Sequence, residues 1–284
     1  MSQFPPDVYA LIDASIAEDQ TFNDPTTQAV VPPEIQGTGW LRAKATGVLA
    51  GVDVAIAVFQ RIDPTLDAKA ILQDGSALCA GDDIAVVRGS AAGILRAERI
   101  ALNFMQRMSG IASDTNRYVE AVRGLNARIV DTRKTAPGHR FLDKYSVRMG
   151  GGYNHRLNLA DGILIKDNHI QANAFREMGL KEVIQLALAR ASHTIKVEVE
   201  VEDMEQVNAA LEAGAHIIML DNMSVSEMAE AMKVIGDKAI VEASGGITYD
   251  TVRAVAETGV DLISIGGLTH SVYALDISLD LEFD

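Results

Sequence analysis

A single cysteine, Cys79, stands in 284 residues. No internal disulfide can form, and a reducing compartment is expected. Aromatic residues make up only 5% of the chain, with one tryptophan; small aliphatics take their place, which suits a parallel α/β core. No apolar run approaches the length of a membrane span. The first 19 residues lack the basic start and unbroken apolar stretch of a secretory signal. Net positive charge is missing too: 39 acidic against 25 basic residues give −14. That balance argues against a general nucleic-acid or anionic-membrane partner, since both need a broad basic surface. The expectation is a soluble cytoplasmic protein, long enough for one large domain or two ordinary ones.

The basic residues are not evenly spread. Between Arg133 and Lys166, seven lysines or arginines (133, 134, 140, 144, 148, 156 and 166) face two acids, Asp143 and Asp161, with His139 and His155 in the same window. Cations that converge on one cleft attract a small ligand carrying several negative charges.

Two regions differ in texture. In the first, apolar spacing predicts helices over 7–17, 52–62 and 91–122, and strands over 39–45, 68–72 and 83–89. Ser109 and Gly110 are the best breakers in the long helical stretch, so a domain boundary is expected near 110. In the second, short β-branched runs recur at 128–131, 162–165, 196–201, 216–220, 239–241 and 262–265. Helical patterns fill the later gaps at 180–191, 204–213, 226–235 and 248–258. That alternation implies right-handed crossovers and a parallel sheet. Chemistry-bearing residues follow nearly every strand, the pattern of an α/β barrel whose site lies at the C-terminal rim. Only six strands are clear.

Arg133 and Lys134 follow one strand and precede the Pro137-Gly138 turn; adjacent cations there can grip two acidic groups, or can be a solvated loop. His155 and Arg156 follow three glycines, 150–152, a spacing that fits neither a Walker loop nor a dinucleotide fingerprint. Lys166 ends the apolar run 162–165, where an unpaired ammonium would be costly. Glu198, Glu200 and Glu202 alternate onto one strand face, which calls for a cation or for exposure of the outer two. Glu200 with Asp221 makes a pair for Mg²⁺ or sugar hydroxyls. Ser244-Gly245-Gly246 and Gly266-Gly267, after the last two strands, suit a phosphate held by backbone N–H groups. Arg99 reads as an ordinary exposed helix residue.

These residues resemble the quinolinate phosphoribosyltransferase (carboxylating nicotinate-nucleotide pyrophosphorylase) family. The matching segments include AERIALNFMQRMSGIAS, IVDTRKTAPGHR, KYSVRMGGGYNHRLNLADGILIKDNHI, VEVEVE, IIMLDNM, VEASGGI and SIGGLTHS. Departures fall at Asn23-Asp24-Pro25-Thr26 and at His139. The resemblance implies an N-terminal open α/β sandwich domain over 1–110, completed by the tail 271–284, and an incomplete, six- or seven-stranded α/β barrel over 111–270. It implies transfer of phosphoribosyl from phosphoribosyl diphosphate to quinolinate with decarboxylation, giving nicotinate mononucleotide, CO₂ and diphosphate in NAD biosynthesis. It also implies a homodimer in which Arg99 is donated across the interface. Arg99, Arg133, His155 and Arg156 would then hold the two carboxylates, with Lys134 and Lys166 nearby. Glu200 and Asp221 would serve the ribose hydroxyls and Mg²⁺, directly or through substrate oxygens. Ser244, Gly245, Gly246, Gly266, Gly267 and His270 would seat the 5′-phosphate. The rival readings are a paralogous phosphoribosyltransferase associated with molybdate transport, a Schiff-base lyase using Lys166, and a non-catalytic anion sensor.

Overall fold

The computed structural model describes residues 4–283, the side chain of Ala174 excepted; the ends of the ranges expected above, 1–3 and 284, lie outside the described residues. Among those described, the strands are β1 (Gln36–Ala43), β2 (Gly47–Val48), β3 (Asp67–Ala70), β4 (Ala77–Leu78), β5 (Asp83–Ser90), β6 (Arg128–Val130), β7 (Ile163–Ile165), β8 (Val197–Val201), β9 (Ile217–Asp221), β10 (Ile240–Ser244), β11 (Leu262–Ser264) and β12 (Ile277–Phe283). The helices are α1 (Pro6–Glu18), α2 (Pro25–Val30), α3 (Val52–Ile62), α4 (Ala91–Ala121), α5 (Arg140–Met149), α6 (Asp167–Gln171), α7 (Leu180–Arg190), α8 (Met204–Ala213), α9 (Val225–Ile235), α10 (Tyr249–Glu257) and α11 (Gly267–His270). No helix among the described residues is long and apolar enough to cross a membrane.

The chain forms two compact units. One holds residues 1–116, 135–151 and 268–284; the other holds 117–134 and 152–267. In the first, four antiparallel strands run in the order β12-β1-β5-β3. β12 alternates Ile277, Leu279, Leu281 and Phe283, the period of a strand with one apolar face. Its register on β1 runs from Ala43–Ile277 to Gly37–Phe283. Helices α1 and α3 and the first part of α4 supply the core, including Ile12, Val58, Phe59, Ile94, Met105 and Met108. Asp24 caps α2, accepting from the N–H groups of Thr26 (2.9 Å) and Thr27 (3.2 Å) with Pro25 in the first turn. The Asp-Pro departure noted in the sequence is thus a helix start.

Gly110 does not break α4, which continues through it to Ala121. Its hydrogen side chain is there for another reason: a Cβ at Gly110 would strike the backbone carbonyl of Tyr273. The glycine admits a close chain crossing within the first unit, whose first segment runs on to residue 116. α5 and α6 are further elements that apolar periodicity did not show. The α5 sequence RFLDKYSVRM carries four charges in ten residues, and two of them, Asp143 and Lys144, are buried.

In the second unit six parallel strands run in the order β6-β11-β10-β9-β8-β7. A single parallel bridge, Val130 to Tyr153, extends the β6 edge. This is the incomplete α/β barrel that the strand–helix rhythm predicts. Val197, Val199, Val201, Ile218, Leu220, Val241, Ala243 and Ile263 are buried, near-continuous apolar strands as parallel sheets require.

The three segments of the first unit are joined by one ion pair. Asp143, 1% exposed at its side chain, receives Arg107 Nε at 3.0 Å and Nη2 at 2.9 Å, and the Ala136 N–H at 3.2 Å. Arg107 Nη2 also donates to the Thr269 carbonyl at 3.2 Å. Removing one partner strands the other as an uncompensated charge. Asp143→Ala is therefore expected to lower stability by about 3 kcal/mol or more, read as a shift in the urea midpoint at unchanged slope; a shift under about 0.5 kcal/mol would contradict this role.

Candidate active site

Alternation along the barrel strands decides which side chains enter the lumen. In β8 the valines at 197, 199 and 201 pack outward beneath α7 and α8, leaving Glu198 and Glu200 on the inner face. The register carries that face around the barrel. Glu200 lies beside Met219, Glu242 beside Met219 and Leu262, Ser244 beside Asp221, and Ser264 beside Val130. Glu202 lies past the end of the strand and is exposed.

At the C-terminal ends of these strands lies a cavity of about 550 Å³. Arg133, Lys134, His155, Arg156, Lys166, Glu200, Asp221, Ser244, Gly245, Gly246, Gly266 and Gly267 all line it. These are twelve of the residues singled out in the sequence. The two others belong to the first unit. Arg99 is exposed on α4 and borders a separate cavity of about 280 Å³ with Glu18, Asn103, Arg107 and His139. His270 ends α11, exposed, with Nδ1 2.7 Å from Ser271 Oγ. Thr132, Leu164, Met219, Asn222, Glu242, Ile247, Ser264 and Ile265 complete the lining and were not chosen from sequence. The inward Glu of VEAS, equivalent by alternation to those of VEVEVE, was the signal available for Glu242.

The electrostatics are those of an anion site with an acidic side. Arg156 is held below the usual arginine range, by burial first and then by the neighbouring Arg133 guanidinium, against the opposing pull of Glu198 and Glu200. Arg133 Nε is buried without a hydrogen-bond partner among the described residues. Arg156 Nη1 donates to the Gly162 carbonyl at 3.2 Å, and the backbone N–H of Lys134 donates to Thr132 Oγ1 at 3.0 Å. Lys166 Nζ is ion-paired with Glu200. Asp221 Oδ2 accepts from Asn222 Nδ2 at 3.0 Å.

The glycine-rich rim has a geometric cause. Gly245 and Gly246 take φ of +92° and +60°, and a Cβ on Gly245 would strike the Asn222 side chain. Asn222 itself sits at φ +57° and donates its N–H to the Ser244 carbonyl at 3.0 Å. With no side chain at either position, the backbone there is open to close approach by a ligand.

One acid titrates far from its ordinary range. Burial, helped by Glu198 and opposed by His155, pushes the Glu242 carboxyl up to about 7 from 4.5. Between those values the folded protein keeps a proton that the unfolded chain releases. The stabilisation from this group is complete below about 4.5 and is lost as pH rises through about 7. Glu242→Gln removes the dependence, so the melting temperature of the variant relative to the parent is expected to climb between pH 5 and pH 8; a difference that stays constant over that range would contradict the assignment.

Comparison with known proteins agrees with this architecture. Residues 111–280 match the family described as quinolinate phosphoribosyl transferase, C-terminal domain, and residues 24–109 match its N-terminal domain. The chain is 41% identical over 271 residues to the probable nicotinate-nucleotide pyrophosphorylase (carboxylating) of Bacillus subtilis, covering 95% of this chain and 92% of that protein. It is 42% identical over 277 residues to the corresponding Mycobacterium leprae protein, covering 95% of each. The crystal structure of NadC from Streptococcus pyogenes superposes with a TM-score of 0.93 at 39% identity, covering all of both chains. The chain belongs to the quinolinate phosphoribosyltransferase family.

Proposed function

We propose that the protein transfers the phosphoribosyl group of phosphoribosyl diphosphate to quinolinate and releases CO₂ and diphosphate, forming nicotinate mononucleotide for NAD biosynthesis. The observation that carries this reading is the pair of guanidiniums, Arg133 and Arg156, that line one cavity together with Lys134 and Lys166. Two such cations are satisfied together by a ligand with two adjacent carboxylates. Relatives of this length and identity carry the same activity in their names.

The residues then divide the work. Arg133 and Arg156 grip the vicinal carboxylates, with Lys134 and Lys166 adding charge and Arg99 supplied by a second subunit. His155 lines the same cavity. The backbone of Ser244–Gly246 and Gly266–Gly267, with His270, seats the 5′-phosphate. Glu200 and Asp221 face the ribose, where their charge suits the cationic sugar formed as diphosphate leaves. The pyridine nitrogen bonds to C1 of the ribose and the C1–O bond breaks, its electron pair leaving with diphosphate. The pyridinium nitrogen then accepts the charge left when the adjacent carboxylate departs as CO₂, and a proton takes its place. The enzyme contributes position and fixed charge.

Glu200 and Asp221 are hard oxygen donors at the rim, the type that fits Mg²⁺ with its substrate phosphates. When bound, Mg²⁺ would neutralise the departing diphosphate. The exposed thiol of Cys79 supports a reducing, cytoplasmic setting. The solvent-facing guanidinium of Arg99, 60% exposed at its side chain, supports its use by a partner in a homodimer.

Arg133→Ala and Arg156→Ala are each expected to raise KM for quinolinate and to lower kcat/KM by about a hundredfold or more, the scale of a lost charged contact. Unchanged kinetics in both variants would refute the reading. Arg99→Ala and Lys166→Ala, each inactive alone, are expected to recover up to about a quarter of parental activity when mixed, because half of randomly paired dimers keep one intact site. No recovery after verified subunit exchange would place Arg99 outside the partner's site.

A further inference from the structure

The barrel lumen holds a buried acid pair that the proposed reaction leaves without a task. Glu198 and Glu242 point inward with side chains 6% and 1% exposed, and their Oε2 atoms lie 3.3 and 3.5 Å from His155 Nε2. Glu198 Oε1 is buried and accepts no hydrogen bond among the described residues, and the buried Glu242 carboxyl has the Ser264 hydroxyl as a hydrogen-bonding neighbour. Buried carboxylates in that condition are costly. The imidazole between them is the group that relieves both.

The other ring nitrogen is also taken. His155 Nδ1 accepts the backbone N–H of Arg156 at 2.8 Å. A neutral imidazole that accepts at Nδ1 carries its proton on Nε2, so the ring donates toward the two carboxylates. An Nε2 lone pair is then not offered to a metal ion, although one ligand atom from each of His155, Glu198 and Glu242 lies within 4.8 Å of the others. The backbone is pinned as well, because the buried Asp131 accepts the His155 N–H at 2.9 Å and Asn154 Nδ2 at 2.5 Å.

The cluster sits between two spaces. His155, Arg156 and Glu242 line both the site cavity and a second cavity of about 370 Å³ that also meets Arg128, Lys196 and Ile217, at the opposite ends of the strands. The acid pair therefore braces the segment that carries Arg156 from beneath the site.

We propose that Glu198 and Glu242 are positioning residues: by fixing the ring of His155 they fix, through its Nδ1, the backbone from which Arg156 reaches the dicarboxylate. The inference rests on the function proposed above. Its effect is on acceptor binding and not on the sugar donor, since the linked groups all lead to Arg156.

The test has two arms. Glu198→Leu removes the acceptor nearest Nε2–H, at 3.3 Å, and Glu242→Leu removes the carboxyl packed beside it, at 3.5 Å, whereas the Gln variants keep a carbonyl oxygen at similar volume. The Leu variants are expected to raise KM for quinolinate about tenfold, the scale of one lost charged hydrogen bond, with KM for phosphoribosyl diphosphate unchanged and the Gln variants restored most of the way. Equal rises in both KM values, or no rise in either Leu variant, would overturn the proposal. The second arm needs no turnover: the ¹⁵N-resolved spectrum of the histidine rings of the parent, with His155 assigned by its absence in His155→Phe. A proton on Nε2 is expected, and a proton on Nδ1 overturns the proposal even if the Leu variants fail to fold. A parent that does not consume quinolinate would refute the proposed function instead, and the spectrum would still decide the state of His155.

Discussion

Two arginines that repel one another organise this protein. Arg133 follows the end of β6, and Arg156 follows the bridge at Tyr153 beside the same strand. Both line one cavity, where burial first and then the nearness of Arg133 make the charge on Arg156 harder to keep. A fold holds like charges together only when the rest of the structure outweighs the cost. Here the cost is offset by acids set deeper and to the side, at Glu198 and Glu200, and the proposed dicarboxylate would remove the rest. The acidity of the chain as a whole, at −14, sharpens the contrast.

The barrel makes that arrangement possible because alternation and register do separate jobs. Outward valines bury β8 under its helices, and the same strand sends glutamates inward at two levels. The upper level, with Glu200, Asp221 and Lys166, meets the cavity where the sugar is proposed to bind. The lower level, with Glu198 and Glu242, is buried and faces an imidazole. Gly245 and Gly246 then turn the chain at the rim at positive φ, and a side chain on Gly245 would collide with Asn222.

Much of this was legible in the chain. The six parallel strands follow from β-branched runs spaced by amphipathic helices, and the rim residues follow from their place just after those runs. Other features were hidden for physical reasons. Gly110 reads as a helix breaker, but its role is steric, set by Tyr273, more than 150 residues away in sequence. α5 was obscured because Asp143 and Lys144 are buried charges in a helix, which breaks the apolar period. The two-residue strands β2 and β4 are too short to show alternation. The burial of Glu242 depends on the register of β10 with β9 and β11, which no local pattern reports. Arg99 is exposed and ordinary within its own subunit, and only the family resemblance gives it a task.

The most direct measurement of the central claim compares acceptors. Incubated with phosphoribosyl diphosphate and Mg²⁺, quinolinate is expected to yield nicotinate mononucleotide and CO₂ in equal amounts, while nicotinate, with one carboxylate, is left unreacted. Turnover of nicotinate at a similar rate would mean that the paired guanidiniums do not read the second carboxylate, and would contradict the account.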